Sequence, residues 1–192
     1  MRLVTRSEIL ELGEYEKVRE HFRTRVIAEK KARRFAAGPH LSVLFENHDT
    51  VLLQVQEMLR TERITRESAV AHEISTYNEL LGGPNELGAT VMIEIVDAAE
   101  RDAFLVRARG IERHFVLEVG SHAIRAHWDQ SRVLPEQASA VMYLKFPLTE
   151  SGARDLSARD ALVSFVVDHP EVALRTPLAS PLVQSLAEDV SA

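Results

Sequence analysis

Gly38-Pro39-His40-Leu41-Ser42-Val43-Leu44-Phe45-Glu46-Asn47-His48-Asp49-Thr50, running on into Val51-Leu52-Leu53-Gln54-Val55-Gln56-Glu57-Met58-Leu59-Arg60, decides how this chain is read. Gly38-Pro39 stops a preceding helix, because glycine accepts the left-handed geometry after a helix end and proline cannot continue it. Leu41 to Phe45 is a short apolar run between a proline and a polar turn, the pattern of a buried strand. Asn47 or Asp49 caps the next helix, and Asp49 suits its positive N-terminus. Val51, Val55, Met58 and Leu59 recur at helical spacing, so that helix runs to about residue 62.

Working outward toward the N-terminus, Tyr15, Val18, Phe22 and Val26 repeat at helical spacing between charged residues, which predicts a long helix over 14–36. Thr5 and Glu8 fit a capping box ahead of it. Val70, Ile74, Tyr77 and Leu81 predict a further helix from about Thr65, ended by Gly82-Gly83-Pro84.

Beyond residue 84 the pattern turns to strands. These are expected over 90–96, 115–119, 123–128, 141–146 and 162–167, with helices opening at Asp97 and Thr149. Val91-Met92 and Val141-Met142 each open a strand–helix–strand pattern, suggesting two βαβ-like halves sharing one sheet, as in ferredoxin-like split folds. After Pro170 an extended arm leads to Ser180-Pro181, a good start for a short helix carrying Leu182, Leu186 and Val190. The expected fold is α+β, an antiparallel or mixed sheet from the C-terminal half packed against an N-terminal helical layer. The chain is read as one domain over 1–192: a mainly helical layer with one strand over 1–83, a sheet-rich part over 84–170, and the arm and short helix over 171–192.

Composition narrows the chemistry. Hydrophobic residues make up 45% and charged residues 27%, enough apolar material for a core without staples. With no cysteine, disulfides, thiolate iron–sulfur ligation and a cysteine nucleophile are excluded. A metal, such as a divalent cation, would have to sit on His, Asp and Glu. The sequence holds no nucleotide-binding glycine motif and no GxSxG. No apolar signal core or membrane span is visible, so the expected location is the cytoplasm. Residues 1–35 carry ten basic and six acidic side chains of the 23 and 29 in the whole chain, leaving the remainder at net −10. That asymmetry suits an anion or acidic partner, or docking of the basic helix on its own acidic body. Nucleic acid is disfavoured by the acidic remainder and by an aromatic content of 6%. A homo-oligomer stays open.

Glu46, Asp49 and Glu57 are the candidate catalytic carboxylates, since Glu46 and Asp49 flank one strand-to-helix turn. His40, Glu46, Glu57 and His169 are the candidate metal ligands. A five-residue strand spans roughly 17 Å, so His40 and Glu46 meet one ion only if other segments converge. The competing reading is a polar network: Asp49 as cap, Glu57 paired with Arg60 or Arg19, and His40 bonded to backbone. His169, in Asp168-His169-Pro170, sits past a strand end, where functional residues and plain turns are both common. Arg19, Lys30 and Arg33 could hold an anion against the central stretch, or serve a solvated or paired helix face.

The same central run resembles the bacterial family catalogued as domain of unknown function 3501. Supporting pieces are Tyr15-Glu16 with Arg19, Lys30-Lys31-Ala32-Arg33-Arg34, Tyr77-Asn78, Met92-Ile93-Glu94, Gly110-Ile111-Glu112 and Asp168-His169-Pro170, so the likeness covers nearly the whole chain. His48 departs from the pattern, standing where the family is expected to carry arginine. The resemblance implies no established activity. It implies genes beside those for rubrerythrin-like di-iron proteins and iron–sulfur oxidoreductases, and so an accessory or interaction role in a bacterial redox or oxidative-stress system. The alternative is a metal- or small-ligand-dependent enzyme using His40, Glu46, Asp49 and Glu57.

Overall fold

Helix α1 (Leu12–Arg33) and strand β2 (Leu41–Phe45) meet at one buried guanidinium, and the other elements are placed around that meeting point. The computed structural model describes residues 1–158 and 161–191. Ala192, the end of the expected C-terminal segment, lies outside them. The remaining elements are β1 (Arg34–Ala37), α2 (His48–Thr61), α3 (Glu67–Asn78), β3 (Glu86–Ile93), α4 (Ala98–Arg107), β4 (Phe115–Val119) and β5 (His122–Arg125). They continue with β6 (His127–Trp128), β7 (Val141–Pro147), α5 (Glu150–Ser157), β8 (Val163–His169), β9 (Val172–Pro177) and α6 (Ser180–Ser191).

The α+β fold expected from the sequence is the observed one, with two sheets rather than one. Among the described residues, one sheet has the order β1-β2-β3-β7-β6 and the other β5-β4-β8-β9. Every neighbouring pair is antiparallel. The two strand–helix–strand segments are present, but each crosses between sheets: β3–α4–β4 and β7–α5–β8 both leave the first sheet and enter the second. A pair of βαβ units sharing one sheet is therefore not what forms. The sheets bury their inner faces against each other. Phe35, Phe115 and Phe146 all pack on Phe165, with ring centroids 5.6, 5.7 and 6.2 Å away. Leu182, Val183 and Leu186 of α6 join this core, as do Phe104 and Leu105 of α4. A second apolar cluster (Val4, Ile9, Val51, Val55, Leu59, Val70, Ile74 and Leu81) holds the N-terminal segment, α2 and α3 together.

Three local expectations change. The first helix stops at Arg33, and Arg34–Ala37 form β1, paired with β2 from Arg34↔Leu44 to Ala37↔Leu41. Phe35 explains it: its ring stacks on Phe45 at 6.2 Å and meets Phe165, contacts open to a strand at the sheet edge. Packing of that ring overrides the helix preference of the alanines around it. Gly38, at φ +69°, serves the hairpin turn rather than a helix end. Residues 123–128 are two strands. At buried Ala126 the chain passes from the second sheet to the first, its N–H donating to the Phe115 carbonyl at 2.9 Å. The C-terminal arm is a paired strand, β9, registered on β8 from Ser164↔Pro177 to His169↔Val172. Its alternating burial is the pattern of an edge strand with one face inward. The Thr5–Glu8 box forms, with Glu8 accepting from the Thr5 N–H at 2.9 Å, but it closes a short 3-10 turn ahead of α1. No helix among the described residues is long and apolar enough to cross a membrane.

Arg33 is 1% exposed. Its Nε donates to the Phe45 carbonyl at 2.9 Å and its Nη2 to the Glu46 carbonyl at 3.3 Å. Nη1 donates to Ser185 Oγ at 2.5 Å, and Nη2 pairs with the Asp189 carboxylate. One side chain therefore ties the end of α1 and the end of β2 to α6. Breaking a buried pair from one side strands the other charge, so Arg33→Met is expected to cost about 3 to 5 kcal/mol in urea unfolding. Arg33→Met with Asp189→Leu should cost less than the two single changes added together. A steric limit lies nearby: a Cβ on Gly88 of β3 would sit 2.0 Å from the Leu80 carbonyl oxygen. Gly88→Ala is expected to lose about 1 to 3 kcal/mol by the same measurement.

Candidate functional site

The central carboxylates are held by protein donors. Glu46 follows β2 and is 2% exposed. Its Oε2 accepts from Thr50 Oγ1 at 2.5 Å and its Oε1 from Thr90 Oγ1 at 2.7 Å. Gln54 Nε2 stands 3.4 Å from the same Oε2. Lys30 lies close by; burial pushes its ammonium below the usual lysine range, and the Glu46 charge opposes that shift. Asn47 is the N-cap of α2, accepting from the Thr50 N–H at 3.0 Å, and its amide donates to Glu29.

Asp49 sits in the first turn of α2 and joins that helix to α1 through Arg25 at 2.5 Å. Its other oxygen meets His48 Nδ1 at 3.0 Å. Burial pushes the Asp49 carboxyl up, but the bonds from His48 and Arg25 outweigh it and leave the group below its ordinary value. His48 Nε2 is 3.0 Å from Glu8 Oε1, within ion-pair distance but without good hydrogen-bond alignment.

Glu57 lies along α2 in a separate network. Arg19 grips it with two bonds, Nε to Oε1 at 2.7 Å and Nη2 to Oε2 at 2.9 Å. Tyr15 OH also donates to Oε1 at 2.7 Å, and Arg60 Nη2 lies 3.4 Å from Oε2. The Arg19 fork is the main cause that holds the Glu57 carboxyl down at about 2. Burial, with the Glu57 bond, pushes the Tyr15 phenol above its usual range.

The proposed metal ligands are not brought together. His40 and Glu46 stand at the two ends of β2, and Glu46 and Glu57 share no hydrogen-bond partner. The His40 ring packs on Phe104 at 5.1 Å beside a shallow cleft that includes Lys31, Arg34 and Glu94. His169 is buried on the second sheet, with Nε2 3.1 Å from the Arg109 carbonyl and Nδ1 accepting from the Glu171 N–H at 3.2 Å. Those two bonds make it a clasp between two turns. Among the described residues, no group of three His, Asp or Glu side chains is placed to hold an ion. Of the anion-binding set, Arg19 is engaged by Glu57 and Arg33 by Asp189.

A different site was not found by sequence reasoning. A cleft of about 510 Å³ opens between the C-terminal end of α3 and the β6–β7 edge of the first sheet. Leu80, Leu134, Val141 and Met142 give it apolar walls, with Tyr77 and Tyr143 beside them. Glu112 and Trp128 also line it. Glu112 Oε1 and Trp128 Nε1 are both buried without a hydrogen-bond partner. Lys145 reaches the Leu81 carbonyl; burial lowers its pKa, opposed by Glu86 and Glu79. The available signals were an acid within the otherwise buried Ile111-Glu112 and Phe115 segment, and the chain's one tryptophan. Neither carries a spacing that points to the other.

Glu57 makes stability depend on acid. Its folded value of about 2 lies below its ordinary 4.5, so its contribution is complete above about pH 4.5 and is lost as the pH falls toward 2. Discounted for partial exposure, Glu57→Gln is expected to cost about 2 kcal/mol at pH 7. The gap between the two proteins should close by pH 2 in urea titrations.

The family described as protein of unknown function (DUF3501) matches residues 3–190. A search among curated proteins finds no match. Among solved structures, a protein of unknown function from Burkholderia pseudomallei K96243 is similar at 35% identity, with a TM-score of 0.91. The alignment covers 98% of this chain and 100% of that one. With almost its whole length matched, the chain belongs to the DUF3501 family of proteins of unknown function.

Proposed function

We propose that the chain is a non-catalytic accessory or interaction protein of a bacterial redox or oxidative-stress system, working in the cytoplasm as a single domain. The observation that carries the non-catalytic part is the Tyr15–Arg19–Glu57 network. A general base works best with a pKa near the working pH, and a carboxyl held at about 2 by a two-pronged arginine is far from that. Glu46 and Asp49 are similarly occupied, by threonine hydroxyls and by Arg25 with His48. These groups brace α1 and α2 against the first sheet, which suits a rigid scaffold. The redox setting rests on the family resemblance, whose members are encoded beside rubrerythrin-like di-iron proteins and iron–sulfur oxidoreductases. Those proteins are the proposed partner class.

The alternative enzyme on His40, Glu46, Asp49 and Glu57 would need these side chains to leave their partners before they could share an ion. Light scattering after size exclusion, with a rubrerythrin-like di-iron protein from the same organism, separates the two readings. A complex of defined stoichiometry is expected. No complex, together with a stoichiometric metal in protein from the native host that is lost in Glu57→Gln, would replace the accessory reading with the enzymatic one.

A further inference from the structure

We propose that the cleft where α1 runs into the β1–β2 hairpin binds a phosphate group, carried either by the free ion or by a small organic phosphate. Its residues lie outside the Glu46, Asp49 and Glu57 networks, so the proposal is independent of the accessory role. Ser42 is the starting point. It is 7% exposed, it lines the cleft, and its hydroxyl bonds to no described residue. A polar group that deep in a fold ordinarily has a partner. Strand register shows what surrounds it. Ser42 stands opposite Ala36 of β1 and Met92 of β3. The β2–β3 pairing runs one step further, with the Glu94 N–H donating to the His40 carbonyl at 2.8 Å. Side chains alternate along a strand, so Arg34, His40 and Glu94 rise from the same face as Ser42. Ala36 and Ser42 are small and make the floor of a cleft of about 440 Å³.

Charge chooses the class of ligand. Lys31 and Arg34 line the cleft against one carboxylate, Glu94. Arg34 Nη1 is 3.4 Å from Glu94 Oε1, and both side chains are half-exposed, so water screens the pair and an incoming anion can compete for the guanidinium. Lys31, in the last turn of α1, is exposed and makes no ion pair with a described residue. The lining therefore keeps a net positive charge. His40 packs its ring on Phe104, and its nitrogens bond to no described residue. An ammonium, a guanidinium fork and a hydroxyl are all donors, so the matching ligand is one that accepts on several sides. A phosphate does so through three or more oxygens, and arginine meets two of them at once. The volume lies within the range of small-molecule sites, so an organic body can follow the phosphate into the cleft.

The probes are inorganic phosphate and glycerol 3-phosphate, with glycerol as the uncharged control. Chloride is held at about 150 mM to screen unspecific attraction. Amide resonances of the full chain, followed by two-dimensional NMR, report both affinity and place. Saturable shifts with a Kd of about 5 mM or tighter are expected, largest from Lys31 to Ser42 and at Glu94, and none with glycerol. Tighter binding of glycerol 3-phosphate supports the site as one for a small organic phosphate; equal or tighter binding of inorganic phosphate supports it as one for the free ion. Arg34→Gln and Lys31→Gln, both at exposed positions, should each weaken the tighter probe by about threefold to tenfold with an unchanged melting temperature. Glu94→Gln frees Arg34 and removes the opposing charge, so it should tighten the same probe by about threefold. The proposal is overturned if neither probe saturates below about 20 mM, if the shifts fall outside the cleft, if Arg34→Gln and Lys31→Gln both bind like the parent chain, or if Glu94→Gln binds more weakly.

Discussion

The architecture depends on one buried cation. Arg33 ends α1 at a point where water is excluded, so its charge must be answered inside the protein. The carbonyls of Phe45 and Glu46 answer it from the end of β2, and Ser185 with Asp189 answer it from α6. These partners are 12 to 156 residues away in sequence. The C-terminal helix is thus seated by the last residue of the first helix. Burial pushes the Asp189 carboxyl up and the Arg33 charge pulls it back, as expected for a pair that gains attraction and loses hydration together.

Around that pin the chain builds two sheets. β3 and β7 pair in the first sheet, and after each a helix carries the chain to β4 and β8, which pair in the second. The sheets share a core of phenylalanines, while α1, α2 and α3 form a layer with its own apolar cluster. Part of the basic character of α1 is spent on this layer: Arg19 holds Glu57 and Arg25 holds Asp49. The cleft lies at the other rim, where β6 contributes only two residues to the sheet edge. A strand that short leaves room for Glu112, Asp129, Val133, Leu134 and Ser139 to line a shared space.

Part of the site chemistry was legible and part was not. Glu57 with Arg19 could be anticipated as a pair because both stand on helices with clear apolar stripes, and opposite charges at the seam between such helices tend to meet. Glu46 could be picked out as an acid after a buried strand, but not its two threonine donors, because Thr90 comes from a strand 44 residues away. Glu112 lay in the Gly110-Ile111-Glu112 piece of the family resemblance, but nothing local tied it to Trp128. Their significance lies in what they lack, a hydrogen-bond partner, and that is a property of the finished fold.

The sequence by itself determined the local elements. Periodicity marked α1, α2 and the strand Leu41–Phe45, and Thr149 and Asp97 cap their helices through side-chain bonds to Gly152 and Glu100. Such signals act within one or two turns of chain, so they survive without knowledge of the rest. Tertiary structure decided what each element joined. Phe35 drew Arg34–Ala37 out of the helix because its ring found Phe45 and Phe165, and Ala126 split one apparent strand between two sheets. It also decided which charged groups found partners and which faced a cleft, because burial and pairing are set by contacts between distant segments rather than by neighbours in sequence.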